Sequence, residues 1–232
     1  MKKKILALCL VVVLAVTAVT GATLAYFTDT DEAENVFTTG NVDITLDEVF
    51  DPEDAKLLPG IDVTKEVDVT NVGSENAFVR VHIAFPAILD SGSEDQPQFA
   101  AYNNTLHWNF TRASFAEGLW SWNASKDGDN YPGNGGAWNC YQETVDGVLY
   151  NVYVATYETA LATGEQTADN AIYKVYLDAA VTNEMMEGII EELGEIKVLV
   201  VAEGAQEAGF DNAYDALNTA FGIPGTYSVF AG

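Results

Sequence analysis

From Ala77 to Phe85 the chain alternates residue by residue: Val79, Val81, Ile83 and Phe85 are apolar, and Arg80 and His82 stand between them. A two-residue period does not fit a helix, whose side chains return to one face every 3.6 residues. The segment is therefore expected to be a strand, with the apolar set inward and Arg80 and His82 outward. The same period runs from Asn41 to Leu46, with Val42, Ile44 and Leu46 on one face. It runs again from Ile61 to Val69, where Ile61, Val63, Val67 and Val69 alternate with Asp62, Thr64, Glu66 and Asp68. Turn chemistry separates the three segments: Leu58-Pro59-Gly60 after an acidic loop (Asp47 to Asp54), then Asn71, Gly73 and Ser74. Three such segments in succession predict antiparallel strands with one wet face.

Between Ser91 and Gly147 the periodicity fades. This stretch holds all four tryptophans, Trp108, Trp120, Trp122 and Trp138, and a Gly/Asn-rich section from Asp127 to Gly136. It reads as a long decorated insertion, about 91–147, with room for a strand pair. Strand character returns at Val148–Tyr157, Ile172–Leu177 and Ile196–Ala202. One helix is predicted after Thr182 or Asn183, with the stripe Met186, Ile189, Ile190 and Leu193 and with Gly194 ending it. A second follows Asp211, burying Ala213, Tyr214, Leu217, Ala220 and Phe221 before Gly222 and Pro224. The expected fold is mainly β: an antiparallel, jelly-roll-like β-sandwich over 41–232 with the insertion and two late α-helices.

The N-terminus has the layout of a secretory signal: Lys2, Lys3 and Lys4, an apolar run from Ile5 to about Val19, then small residues. The run falls short of the roughly 18 to 20 residues that span a bilayer, so membrane contact is expected only during export. Thr23-Leu24-Ala25 is the best cleavage site, making residues 1–25 a signal peptide and Tyr26 the first mature residue. Cys9 leaves with the signal, and Cys140 remains as a lone thiol, expected to be a buried small hydrophobe. The full chain carries 10 Lys plus Arg against 35 Asp plus Glu, a net charge of −25, and cleavage removes three of the cations. Such a surface repels nucleic acid phosphates and anionic lipid alike.

Catalytic material is thin. The chain has two histidines, His82 and His107, and no His-Glu-x-x-His, so the helical zinc pair of a metalloprotease is missing. His82 is expected on the wet face of its strand. There is no Gly-x-Ser-x-Gly elbow and no phosphate-cradling loop before a helix. The carboxylates Asp47, Glu48, Asp51, Glu53 and Asp54 could attract calcium, but neither they nor Asp29-Thr30-Asp31 continue into an EF-hand, and a solvated acidic loop is the simpler reading. Asp127-Gly128-Asp129-Asn130 reads as a turn. No cofactor is expected. Trp108, Trp120, Trp122 and Trp138 either form a platform that stacks on a glycan or grips a protein, or pack beneath the insertion.

The segment that follows the apolar run carries a resemblance. Ala22-Thr23-Leu24-Ala25-Tyr26-Phe27-Thr28-Asp29, then Asn35-Val36-Phe37-Thr38-Thr39-Gly40-Asn41-Val42-Asp43-Ile44, Pro59-Gly60 and Asn71-Val72-Gly73-Ser74 resemble the TasA/camelysin family over the first third of the chain. The resemblance implies a signal cut between Ala25 and Tyr26 by a SipW-type signal peptidase. It also implies a secreted biofilm-matrix fibre or pilus-like subunit at the surface of a Gram-positive bacterium. Its partners would be further copies of itself, joined head to tail, and other matrix proteins. Assembly in that family is by donor-strand complementation, which places the donor in 26–40, with Tyr26, Phe27, Ala33, Val36 and Phe37 as the assembly strand. Here Asp29 and Asp31 share a face with Phe27, Ala33 and Phe37, a departure from continuous apolar alternation. The protease activity associated with the camelysin branch is not carried over, because no metal motif comes with it. A secreted binding module using the Trp-rich insertion is the alternative.

Overall fold

The computed structural model describes residues 40–50, 57–89, 105–110, 120–122 and 140–230. Nine strands, a helix, a tenth strand and a second helix follow one another along them. They are β1 (Ile44–Val49), β2 (Asp62–Thr64), β3 (Glu66–Asn71), β4 (Ala77–Pro86), β5 (Leu106–Phe110), β6 (Trp120–Ser121), β7 (Cys140–Val145), β8 (Val148–Leu161), β9 (Ile172–Leu177), α1 (Asn183–Leu193), β10 (Leu199–Gln206) and α2 (Ala213–Phe221). Every ladder is antiparallel. One sheet runs β10-β4-β8-β6, with β7 also on β8; a second runs β2-β9-β5; and β1 pairs with β3. Among the described residues no helix is long and apolar enough to cross a membrane.

The odd residues of β4 (Val79, Val81, Ile83, Phe85) and of β8 (Tyr153, Ala155, Tyr157) share one core with Val67 and Val69 of β3, Leu106 of β5, and Ile172, Val175 and Leu177 of β9. The even residues were expected in water, and they are not: every residue of β4 is buried. The reason is a third layer. Phe78 packs with Ala213, Ala216 and Leu217 of α2, and Ala84 with Tyr141, Tyr150, Val152, Val154 and Phe230. Alternation gives the phase of a strand, but it says nothing of what covers the second face.

The segment 61–69, expected as one strand, is two. Val63 of β2 lies opposite Val175 of β9, whereas β3 pairs with β1, and between them the Lys65 amide bonds the Tyr173 carbonyl at 3.2 Å. Lys65 sits in the apolar phase and is buried, with its ammonium 2.5 Å from Glu48 and its charge over the Phe50 ring. The expected insertion contains β5, β6 and β7. The last pairs with β8 through the two-residue turn Asp146-Gly147, both at positive φ (51° and 85°). The strand expected over 196–202 runs instead from Leu199 to Gln206, because pairing with β4 begins at Leu199 opposite Ala84.

Both helices form where capping allows. Thr182 accepts the Met185 amide at the start of α1, and Gly194 ends it at φ 72°. For α2 the cap is Asn212, one residue past the expected Asp211. Of the α1 stripe only Ile189 is buried, and Ile190 is 41% exposed. In α2 the buried face is Ala213, Tyr214, Ala216 and Leu217, while Phe221 faces outward.

Candidate functional site

The densest polar constellation among the described residues lies in the third layer. In the β4–β10 ladder Arg80 stands opposite Glu203, and His82 opposite Val201, so His82 is a diagonal neighbour of the carboxylate on the same face. Glu203 Oε2 accepts from Arg80 Nε at 2.5 Å and lies 3.0 Å from His82 Nε2. The Tyr227 hydroxyl, arriving from beyond α2, donates to the Glu203 carboxylate at 2.8 Å and accepts from Arg80 Nη2 at 2.6 Å. Arg80 also donates to Asn218 Oδ1 at 2.8 Å and to the Gly222 carbonyl at 3.0 Å. On the other side of the imidazole, the Tyr141 hydroxyl is 3.4 Å from His82 Nδ1.

These contacts suit one tautomer. A neutral His82 protonated at Nε2 donates to Glu203 and leaves Nδ1 to accept from Tyr141. Burial holds the His82 pKa below its ordinary 6.5, against the upward pull of Glu203. Burial alone would raise the Glu203 pKa, but the His82 hydrogen bond and the Arg80 guanidinium outweigh it and hold the carboxyl below 4.5. Burial also raises the phenol pKa of Tyr141 and Tyr227. Both Glu203 oxygens are engaged and His82 is fully buried, so the cluster presents no open position for a substrate. Chemically it is a tether between the sheet and the segment beyond α2. The sequence carried one signal for it: two basic residues in the polar phase of the most apolar strand.

His107 forms a second pair, its Nε2 3.0 Å from Asp178 Oδ2 and its Nδ1 buried without a hydrogen-bond partner. The Asp178 pKa is lowered by the Ala180 amide and by His107. The ring leans on Tyr176, directly across the β5–β9 ladder.

Of the tryptophans, Trp120 and Trp122 are 1% and 2% exposed, so these two indoles take the packed alternative and not the platform. Trp120 Nε1 donates to the Asp169 carbonyl at 2.7 Å, and its ring meets Tyr157 edge-on. Trp108 is half-buried and stacks on Phe85 at 5.3 Å. Trp138 lies outside the described residues, as do Ala25, Tyr26, Phe27, Ala33, Val36 and Phe37. Cys140 is a buried thiol.

The acidic loop considered for calcium starts as strand. Asp47 and Glu48 belong to β1, where Asp47 accepts from Thr70 at 2.5 Å and Glu48 is held by Lys65; Asp51, Glu53 and Asp54 lie outside the described residues. Asp47 stands across from Asp68, whose pKa is raised, first by burial and then by Glu66, Asp47 and Asp169, against a Thr167 hydrogen bond.

A family model described as camelysin metallo-endopeptidase matches residues 1–85. No curated protein matches the chain. The residues in hand do not fit a histidine-ligated metal. The chain has two histidines, and the shared core lies between them: His82 faces the third layer, and His107 faces away from that core on β5. Each has its Nε2 committed to a carboxylate. Among the described residues no three of His, Cys, Asp and Glu come together as metal ligands do.

Proposed function

Residues 1–85 of the chain are TasA/camelysin-like, and from that premise we propose that the protein is a secreted structural subunit of a matrix fibre or pilus-like filament. It assembles through its N-terminal segment after the signal is removed. The family match carries the reading, because it spans the expected signal, the expected donor segment, β1 to β3 and β4 as far as Phe85. Two features support it. The described body is a set of antiparallel sheets, and the densest polar cluster among the described residues is saturated internally, as in a scaffold and unlike a site with an open coordination or acylation position. Cleavage between Ala25 and Tyr26 by a SipW-type peptidase frees the donor, so export and polymerisation are coupled. Head-to-tail strand exchange does not close on itself, which gives a filament.

Electron microscopy of purified mature protein beginning at Tyr26 tests the proposal, beside a version lacking residues 26–37. Filaments from the first and none from the second are expected. A mature chain that stays monomeric, even when mixed with added subunit, overturns it.

A further inference from the structure

The segment that leaves α2 is a strap over the sheet. Gly222 (φ 98°) ends the helix, and a turn closes on the Ile223 carbonyl, bonded by both the amide and the hydroxyl of Thr226. The next residues are anchored one after another: Tyr227 on Glu203 and Arg80, Ser228 on Glu143 of β7, and Phe230 partly buried against Ala84, Tyr141, Tyr150, Val152 and Val154. The strap thus covers an apolar sheet face and a buried imidazole, with the Tyr141 and Tyr227 rings both edge-on to His82 at 6.5 Å.

The burial of His82 and its sharing of one carboxylate oxygen with Arg80 make this closure sensitive to protons. The groups that face His82 are Arg80 from β4, Glu203 from β10, Tyr141 and Glu143 from β7, and Tyr227 from the strap; β8 brings Val154 across from it. The closed cluster sets one guanidinium beside the Glu203 carboxylate, which the neutral, fully buried imidazole shares, with the Glu143 carboxylate as a second, non-contacting anion. Glu143 is engaged with Ser228. A proton on His82 would add a second buried cation to a carboxylate already shared with Arg80, and would convert Nδ1 from acceptor to donor towards Tyr141. Lifting the strap lets water hydrate that charge.

We infer that residues 223–230 are a proton-released strap, closed over neutral His82 and opened when His82 is protonated, which uncovers the sheet face formed by Ala84, Tyr141, Val152 and Val154. In the open state His82 titrates near its ordinary value of about 6.5. The opening equilibrium should then grow by up to about tenfold for each pH unit below that value, until the closed state itself takes the proton.

Hydrogen exchange on the full mature chain between about pH 7.5 and about pH 5, corrected for intrinsic rates, reads this directly. Amides of 226–230 are expected to lose protection on that schedule while those of β4 and β8 keep theirs. His82→Gln is expected to flatten the dependence. With two histidines in the chain, imidazole resonances provide a second measurement, assigned by His107→Gln. His82 should titrate below 6.5 in the wild type and closer to it in Tyr227→Phe. Strap protection that does not change with pH, protection lost together with β4, or an unaltered pH dependence in His82→Gln would each overturn the inference.

Discussion

Glu203 is the single acceptor on which Arg80, His82 and Tyr227 converge, and its removal would strand a buried guanidinium. Glu203→Ala is expected to cost about 3–5 kcal/mol in urea denaturation, since breaking a buried pair from one side leaves an uncompensated charge. The pH dependence has a definite sign. Both shifts at the site are downward, so the unfolded chain binds the proton more readily in each case. Their stabilising contributions are present at neutral pH. That of His82 is lost as pH falls below the ordinary 6.5, and that of Glu203 as pH falls below 4.5 towards its depressed value. Unfolding free energy measured against pH should therefore decline from about pH 6.5 downward, and His82→Gln should remove the upper part of that decline. Arg80 and His82 were legible as one phase of a strand; their burial was not, because it depends on residues more than a hundred positions away.

At the scale of elements, the Asn71-Val72-Gly73-Ser74 turn explains itself. Buried Asn71 donates to the Glu75 and Leu161 carbonyls and accepts from the Gly73 amide, while the amides of Val72 and Gly73 both reach the Asp43 carbonyl at 2.9 Å. A Cβ at Gly73 would stand 2.4 Å from the Asn41 carbonyl oxygen and 2.6 Å from the Asp43 nitrogen, and neither backbone atom can yield alone. Gly73→Ala is expected to lower stability by about 2–3 kcal/mol in chemical denaturation. Gly188, inside α1 with open space around it, should behave oppositely: Gly188→Ala should raise stability by about 0.5–1 kcal/mol. The helices were legible because their caps are local. β7 was readable too, from Asp146-Gly147 between Val145 and Val148, although its tryptophan-rich surroundings hid it. The division of 61–69 was not readable, since Lys65 breaks the run only by virtue of which sheet each half joins.

For the whole molecule, a net charge of −25 on 232 residues is the dominant long-range force, and it opposes compaction. Raising salt from about 10 mM to about 1 M shortens the screening length from about 30 Å to about 3 Å. Thermal melting should accordingly move upward with sodium chloride, by calorimetry or circular dichroism, whereas a chain held chiefly by surface ion pairs would move down. Screening of like-charged subunits should favour filament growth in the same direction. What the sequence determined by itself was local: strand phase, turn and cap positions, the acidic balance and the family-like first third. These follow from side-chain period, backbone preference and composition, each read over a few residues. The tertiary structure alone decided that β4 is buried on both faces, that Trp120 and Trp122 belong to the core, and that Arg80, His82, Glu203 and Tyr227 share one cluster. Burial is a property of what lies across space, and no window along the chain contains both sides of a contact between residues 80 and 227.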